Sequence, residues 1–239
     1  MDLTLYPADQ RGHADHGWLD THHSFSFGSF YDAERIHFGA LRVLNDDVIL
    51  GGTGFGTHGH SDMEIISIPL DGSLEHADSA GHREKLRAGE VQVMSAGTGI
   101  YHSEHNGSKE DATNFLQIWV EPRKAGGNPR YEQRGFQASE DGGYQLLVRP
   151  DADERGDSLW IRQDAYISRG RFAAGAQGVY TLHADAGAAG VYPFVIDGAI
   201  LVEDVAAGRR DALAVTGASQ LAHTTTQDAD LLAIEVPLR

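Results

Sequence analysis

Apolar runs in this chain are short, and glycine or aspartate interrupts them before a helix of ordinary length can form. "HFGALRVL" (37–44), "DMEIISIPL" (62–70), "GEVQVM" (89–94) and "NFLQIWVEP" (114–122) partly alternate and are rich in β-branched or aromatic residues, which is how strands read. Turn residues separate them, as in "LDGSL" (70–74) and "SAGTG" (95–99). With 29 glycines in 239 residues, a mainly β protein is expected. After Pro122 the polar stretch "RKAGGNPRYEQRGFQASEDGG" reads as a linker. Strand rhythm then resumes with "YQLLVRP", "SLWIRQDAYISRGRF", "YPFVIDGAILVEDV" and "DLLAIEVP". Two domains follow, at 1–130 and 131–239.

The two halves resemble diverged copies of one unit. "PLDGSL" (69–74) matches "VIDGAI" (195–200), and "LQIWVEP" (116–122) matches "LAIEVP" (232–237). Charge and composition narrow the partners. A formal net charge of −16 repels a phosphate backbone, so direct nucleic-acid binding is not expected. The chain has no cysteine, its start lacks the basic and apolar character of a secretion signal, and no apolar run reaches membrane-spanning length. A cytoplasmic protein without membrane contact is expected.

The chemistry concentrates in two short motifs. His58 and His60 stand at i and i+2 in "GTHGH", and in a strand such residues share a face with Cβ atoms roughly 6–7 Å apart. "GIYHSEHNG" places His102 and Glu104 in the same relation. With 13 histidines in the chain, a lone H-x-H arises readily by chance. Two such pairs, each after a glycine-rich turn, point instead to one cation held by three imidazoles and a carboxylate. Glu64, four residues after His60, is the rival acidic ligand. In the second half, laying Asp71 on Asp197 puts Ala184 and Ala186 where the first pair would be, with His223 near the position of His102 and Thr225 at that of Glu104. A one-residue slip brings in His183 alone, so a single site in the first half is expected.

Other candidates are weaker. Adjacent His22 and His23 point to opposite faces of a strand and do not chelate together; His76, His82 and His105 read as solvent-facing or locally bonded. "GGTGFGTHG" (51–59) lacks the lysine and spacing of a nucleotide loop. No G-x-S-x-G and no cysteine support acyl transfer.

These residues resemble a known family. "THHSFSFGSFYDAERIHFGALRVLNDD" (21–47), "HGHSDMEIISIPLDGSLEHADSAG" (58–81) and "VQVMSAGTGIYHSEHN" (91–106) are similar to the pirins, bicupins of the cupin superfamily. The likeness covers most of residues 1–122 and weakens beyond. It implies a bicupin, with two face-to-face antiparallel jelly-roll β-barrels in one chain, a metal-binding first barrel and a second without ligands. The family's H-x-H and H-S-E pattern falls on His58, His60, His102 and Glu104, and so favours Glu104 over Glu64. Gly59, Ser61, Asp62 and Met63 replace the usual flanking residues of H-P-H-R-G-F-E.

The resemblance also implies a metal-dependent dioxygenase that opens the ring of flavonols such as quercetin with O₂. One divalent transition metal is expected, iron first, with Mn, Co, Ni, Cu or Zn also accepted by such donors. A small aromatic substrate and O₂ are the expected partners, with Glu104 as ligand first and catalytic base second. Phe25, Phe27, Phe30, Phe38, Phe55, Phe115 and Trp119 are candidates to line its slot. Two alternatives are a redox-sensitive metal-binding regulator acting through a protein partner, and other cupin small-molecule chemistry on the same metal.

Overall fold

The computed structural model of the chain describes all residues except 138–141, 155, 186 and 239. Strands make up nearly all of its regular structure, with a single 3-10 turn at Ala8–Gln10 among the described residues. In the first unit a seven-stranded sheet runs Arg130–Gly135, Glu90–Ser95, Glu64–Asp71, Thr113–Val120, Leu41–Ile49, Leu19–His23, Gly12–Asp15. A four-stranded sheet accompanies it in the order Gly54–His60, Ile100–Asn106, Ser73–Asp78, Arg83–Arg87. Leu19, Ile49 and Phe115 of the large sheet pack on Leu74 and Leu86 of the small one, so the two sheets face each other as an open jelly roll. The second unit repeats the plan, another seven-stranded sheet being accompanied by four shorter strands.

The two units are joined face to face. Their large sheets share one core, in which Leu44, Ile66, Ile118 and Val93 of the first meet Tyr192, Phe194, Leu232 and Ile234 of the second. This arrangement explains why Glu64–Asp71 is an almost unbroken apolar run. Ile66 and Ile68 point into the shared core, whereas the alternate Ile65 packs inside the first barrel with Met94 and Ile100. Both copies end their inner strand at an Asp-Gly corner, Asp71-Gly72 and Asp197-Gly198, where the glycines take φ of 72° and 81°. Such left-handed backbone suits glycine alone at little cost.

Two connections cross the expected boundary. Asp2–Tyr6 pairs with Ala212–Thr216 of the second unit. Arg130–Gly135, within the stretch expected to be a linker, pairs with Glu90–Ser95 as the outermost strand of the first sheet. Its charged residues hid it from a hydrophobic pattern, since an edge strand keeps its polar side chains. Tyr131 instead stacks on His76 at 4.4 Å, and the Arg130 guanidinium lies 3.6 Å from the Trp160 ring centroid. Arg210 adds a polar tie between the units, donating to Asp46 Oδ2 at 2.6 Å and Asn114 Oδ1 at 3.0 Å.

A core shared by both sheets predicts that Ile118→Ala lowers stability by about 2–5 kcal/mol and moves a single unfolding transition for the whole chain. Two resolved transitions in calorimetry, only one of them shifted, would contradict the shared core.

Candidate metal centre

His58 and His60 lie on strand Gly54–His60, which pairs antiparallel with Ile100–Asn106, bringing His102 opposite His58 and Ile100 opposite His60. A β-bulge between His102 and Glu104 shifts the register, so Glu104 faces Phe55. Bulges re-aim side chains. Gly54 permits the close approach of the two strands, since a Cβ there would sit 2.4 Å from His105 Cα and 2.5 Å from the Glu104 carbonyl oxygen.

Three imidazoles converge. His102 Nε2 lies 3.0 Å from His60 Nε2 and 3.1 Å from His58 Nε2. His58 Nδ1 is 2.8 Å from the Gly56 carbonyl oxygen; a carbonyl only accepts, so Nδ1 carries the proton and Nε2 presents its lone pair. A single proton can satisfy at most one of the two nitrogen contacts of His102 Nε2, which leaves the other a close approach without a hydrogen bond. A cation relieves that approach. Nitrogens bound at 2.0–2.1 Å and about 90–110° apart lie about 2.9–3.4 Å from each other, and the observed spacings fall in that range. Burial lowers the His102 imidazole to about 3 and the His60 imidazole to about 4, neighbouring imidazoles adding to the effect. Both rings therefore stay neutral, as metal ligands must.

Glu104 stands beside this triad rather than within it. It is buried, and His102 and His76 are the groups that share its ligand-distance cluster. Its Oε1 accepts from Ser67 Oγ at 3.0 Å and Gln92 Nε2 at 2.9 Å, and its Oε2 from Gln117 Nε2 at 2.7 Å. All three donors come from the large sheet. Glu64 is directed elsewhere, accepting from Ser95 Oγ at 2.5 Å. His76 and His82 are locally bonded, both to the Asp78 carboxylate at 3.2 and 2.8 Å, and His76 is buried. In the second unit, His183 Nδ1 contacts Glu235 Oε2 at 3.0 Å, and His223 Nε2 contacts the Tyr144 hydroxyl at 3.0 Å. No group of three ligand residues gathers there among the described residues; Ala186 lies outside them.

A cavity of about 580 Å³ opens over the imidazoles, with His58, His60 and Glu104 in its wall. Of the expected aromatic lining, Phe27, Phe55 and Trp119 are present, joined by Trp18. Phe25 and Phe38 belong to the core between the units, and Phe115 lies fully buried behind Phe55. The unexpected part of the wall is polar: Thr21, His23, Asn45, Asp47 and Gln117. Gln92, Ser67, Gln117, Asn45 and His23 form one cross-strand row over five neighbouring strands. The available signal was a single polar residue inside each apolar run, as in "VQVM", "IISIP" and "FLQIWV". Asp47 accepts from Thr21 Oγ1 and is pushed up to about 7 by burial, with Asp46 and Glu104 adding and the Thr21 hydrogen bond opposing.

Fold and site together define a bicupin whose first barrel carries a three-imidazole centre. Residues 6–120 match the family model for pirin, and residues 146–236 match that for a quercetinase C-terminal cupin domain. The chain is 43% identical to a quercetin 2,3-dioxygenase of Escherichia coli K12, covering 98% of this chain and 99% of that one. It is 38% identical to a pirin-like protein of Caulobacter vibrioides, over 96% of this chain and 97% of the other. A crystal structure of a bacterial pirin from Escherichia coli in complex with nickel(II) superposes with a TM-score of 0.92 at 41% identity, covering both chains completely. The chain belongs to the pirin family, and it is like named quercetin 2,3-dioxygenases from end to end.

The Asp47 carboxyl yields a pH test. Its pKa rises on folding from 3.8 to about 7, so between those values the folded state holds a proton that the unfolded chain has released. Stability therefore falls as pH rises through that window. Asp47→Asn removes the penalty and is expected to raise the Tm of metal-free protein by a few °C more at about pH 8 than at about pH 5. An equal effect at both pH values would contradict it.

Proposed function

We propose that residues 1–130 bind one divalent transition metal, iron foremost, through His58, His60, His102 and Glu104, and that the protein cleaves flavonols such as quercetin with O₂. Residues 131–239 act as the supporting barrel. The observation that carries this is the convergence of the His58 and His60 Nε2 atoms on His102 Nε2, each at about 3 Å, at the foot of an aromatic-lined cavity. Likeness over the full length to proteins named for this activity supports it. When bound, the metal supplies a Lewis-acidic, redox-capable centre that favours an anionic oxygen donor.

The chain's own groups do the rest. Trp119, whose ring centroid lies 5.0 Å from that of His60, and Phe27, 5.5 Å from Trp119, offer flat apolar faces to an aromatic ring and displace water from it. Glu104 receives the proton of the flavonol 3-hydroxyl. Its Oε2 accepts one hydrogen bond against two on Oε1, so one lone pair is left on Oε2, open to the metal first and to that proton second but not to both at once. Because Ser67, Gln92 and Gln117 hold the carboxylate from three strands, its position is set before substrate arrives.

Elemental analysis should find about one metal per chain, with His58→Ala and His102→Ala each losing at least about tenfold in metal affinity. Glu104→Gln, which keeps the shape and removes the charge, is expected to cut quercetin turnover by about 10²–10⁴, followed by loss of the flavonol absorption band and by O₂ uptake. No turnover with Fe, Mn, Co, Ni or Cu would remove the enzyme reading and leave that of a metal-bearing regulator.

A further inference from the structure

The cavity wall facing the imidazoles is not uniformly apolar. Thr21, His23, Asn45 and Asp47 line it from strands Leu19–His23 and Leu41–Ile49, and all four are buried. A chain of ring contacts links the imidazoles to this group, with centroid spacings of 5.0 Å from His60 to Trp119, 5.5 Å to Phe27 and 5.2 Å on to His23. A buried polar cluster in a binding cavity costs free energy unless it is bonded or is kept for a ligand.

The bonding inside the cluster is directional. Thr21 Oγ1 donates to Asp47 Oδ1. His23 Nδ1 lies 3.0 Å from Asn45 Oδ1 and therefore donates to it, which leaves His23 Nε2 as an acceptor and the Asn45 amide as a donor. Among the described residues, neither of these groups nor Asp47 Oδ2 has a hydrogen-bond partner within the protein, and Asp47 has no ion pair. An acceptor, a donor and a carboxyl oxygen are thus left to the cavity. Phenolic hydroxyls, which both donate and accept, fit this set.

We propose that Thr21, His23, Asn45 and Asp47 form a hydroxyl-recognition subsite that selects aromatic substrates bearing hydroxyl groups remote from the one directed at the imidazoles. The subsite deepens the flavonol reading and rests on it. It makes polyhydroxylated flavonols the preferred class, ahead of those with a 3-hydroxyl alone. Asp47 is its specificity-determining residue, and Thr21 orients that carboxyl.

The test compares quercetin with 3-hydroxyflavone, which lacks the remote hydroxyls. Binding to nickel-loaded protein is read from quenching of tryptophan fluorescence, since Trp18 and Trp119 line the cavity. Wild type is expected to favour quercetin by about tenfold or more, and Asp47→Asn to shrink that ratio to below about threefold. Thr21→Val should shrink it as well, with Thr21→Ser restoring it, which separates recognition from damage to folding. A ratio near one in wild type, or one unchanged in both Asp47→Asn and Thr21→Val, would overturn the subsite. Parallel turnover assays keep the two readings apart: discrimination in binding without ring cleavage supports the subsite and counts against the dioxygenase alone.

Discussion

An imidazole nitrogen of His102 held about 3 Å from those of both His58 and His60 is an unfavourable arrangement unless a cation sits among them, and much of the first barrel is arranged to keep them there. Two antiparallel strands supply the rings, and alternation along Gly54–His60 aims both of its histidines the same way. Gly54 lets the partner strand come close enough. Burial holds the His60 and His102 rings unprotonated, so these two are ready to coordinate without first losing protons. The adjacent bulge sets Glu104 opposite Phe55, where Ser67, Gln92 and Gln117 hold its carboxylate.

The second barrel shows what the same frame does without such a centre. Where the first has a cavity, the second has packed rings: Tyr144 lies against Phe172 and Tyr180 at centroid distances of 5.3 and 5.2 Å, and Phe172 against His223 at 4.8 Å. Its buried carboxylate, Glu235, is fully engaged by the His183 imidazole Nδ1, the backbone N–H groups of His183 and Ala184 and the Tyr180 hydroxyl. These bonds hold its pKa down despite burial and fix the chain at the start of the inner strand. The apolar faces of the two large sheets need each other, so this barrel contributes to the first by covering it.

The strands and the two ligand pairs were legible because their signals are local. Period-two alternation marks a strand, and an i, i+2 histidine pair on one marks a shared face. Three features were not local. Arg130–Gly135 has the composition of a loop and becomes a strand only because Glu90–Ser95 offers it an edge. The placing of Glu104 opposite Phe55 depends on a bulge that no residue type announces. The polar row from Gln92 to His23 draws one residue from each of five strands, but only their register shows that these residues line up. Spacing brought out the four candidate ligands and family likeness favoured Glu104 over Glu64, whereas Asp47 and its neighbours emerged from the geometry of the cavity wall.

Anomalous diffraction from crystals of the metal-loaded protein tests the central claim most directly. The account predicts one strong peak per chain, about 2.0–2.2 Å from the Nε2 atoms of His58, His60 and His102, with none in the second barrel. A peak placed instead on the surface cluster of His13, Asp20 and His22, or no peak near the three rings, would contradict it.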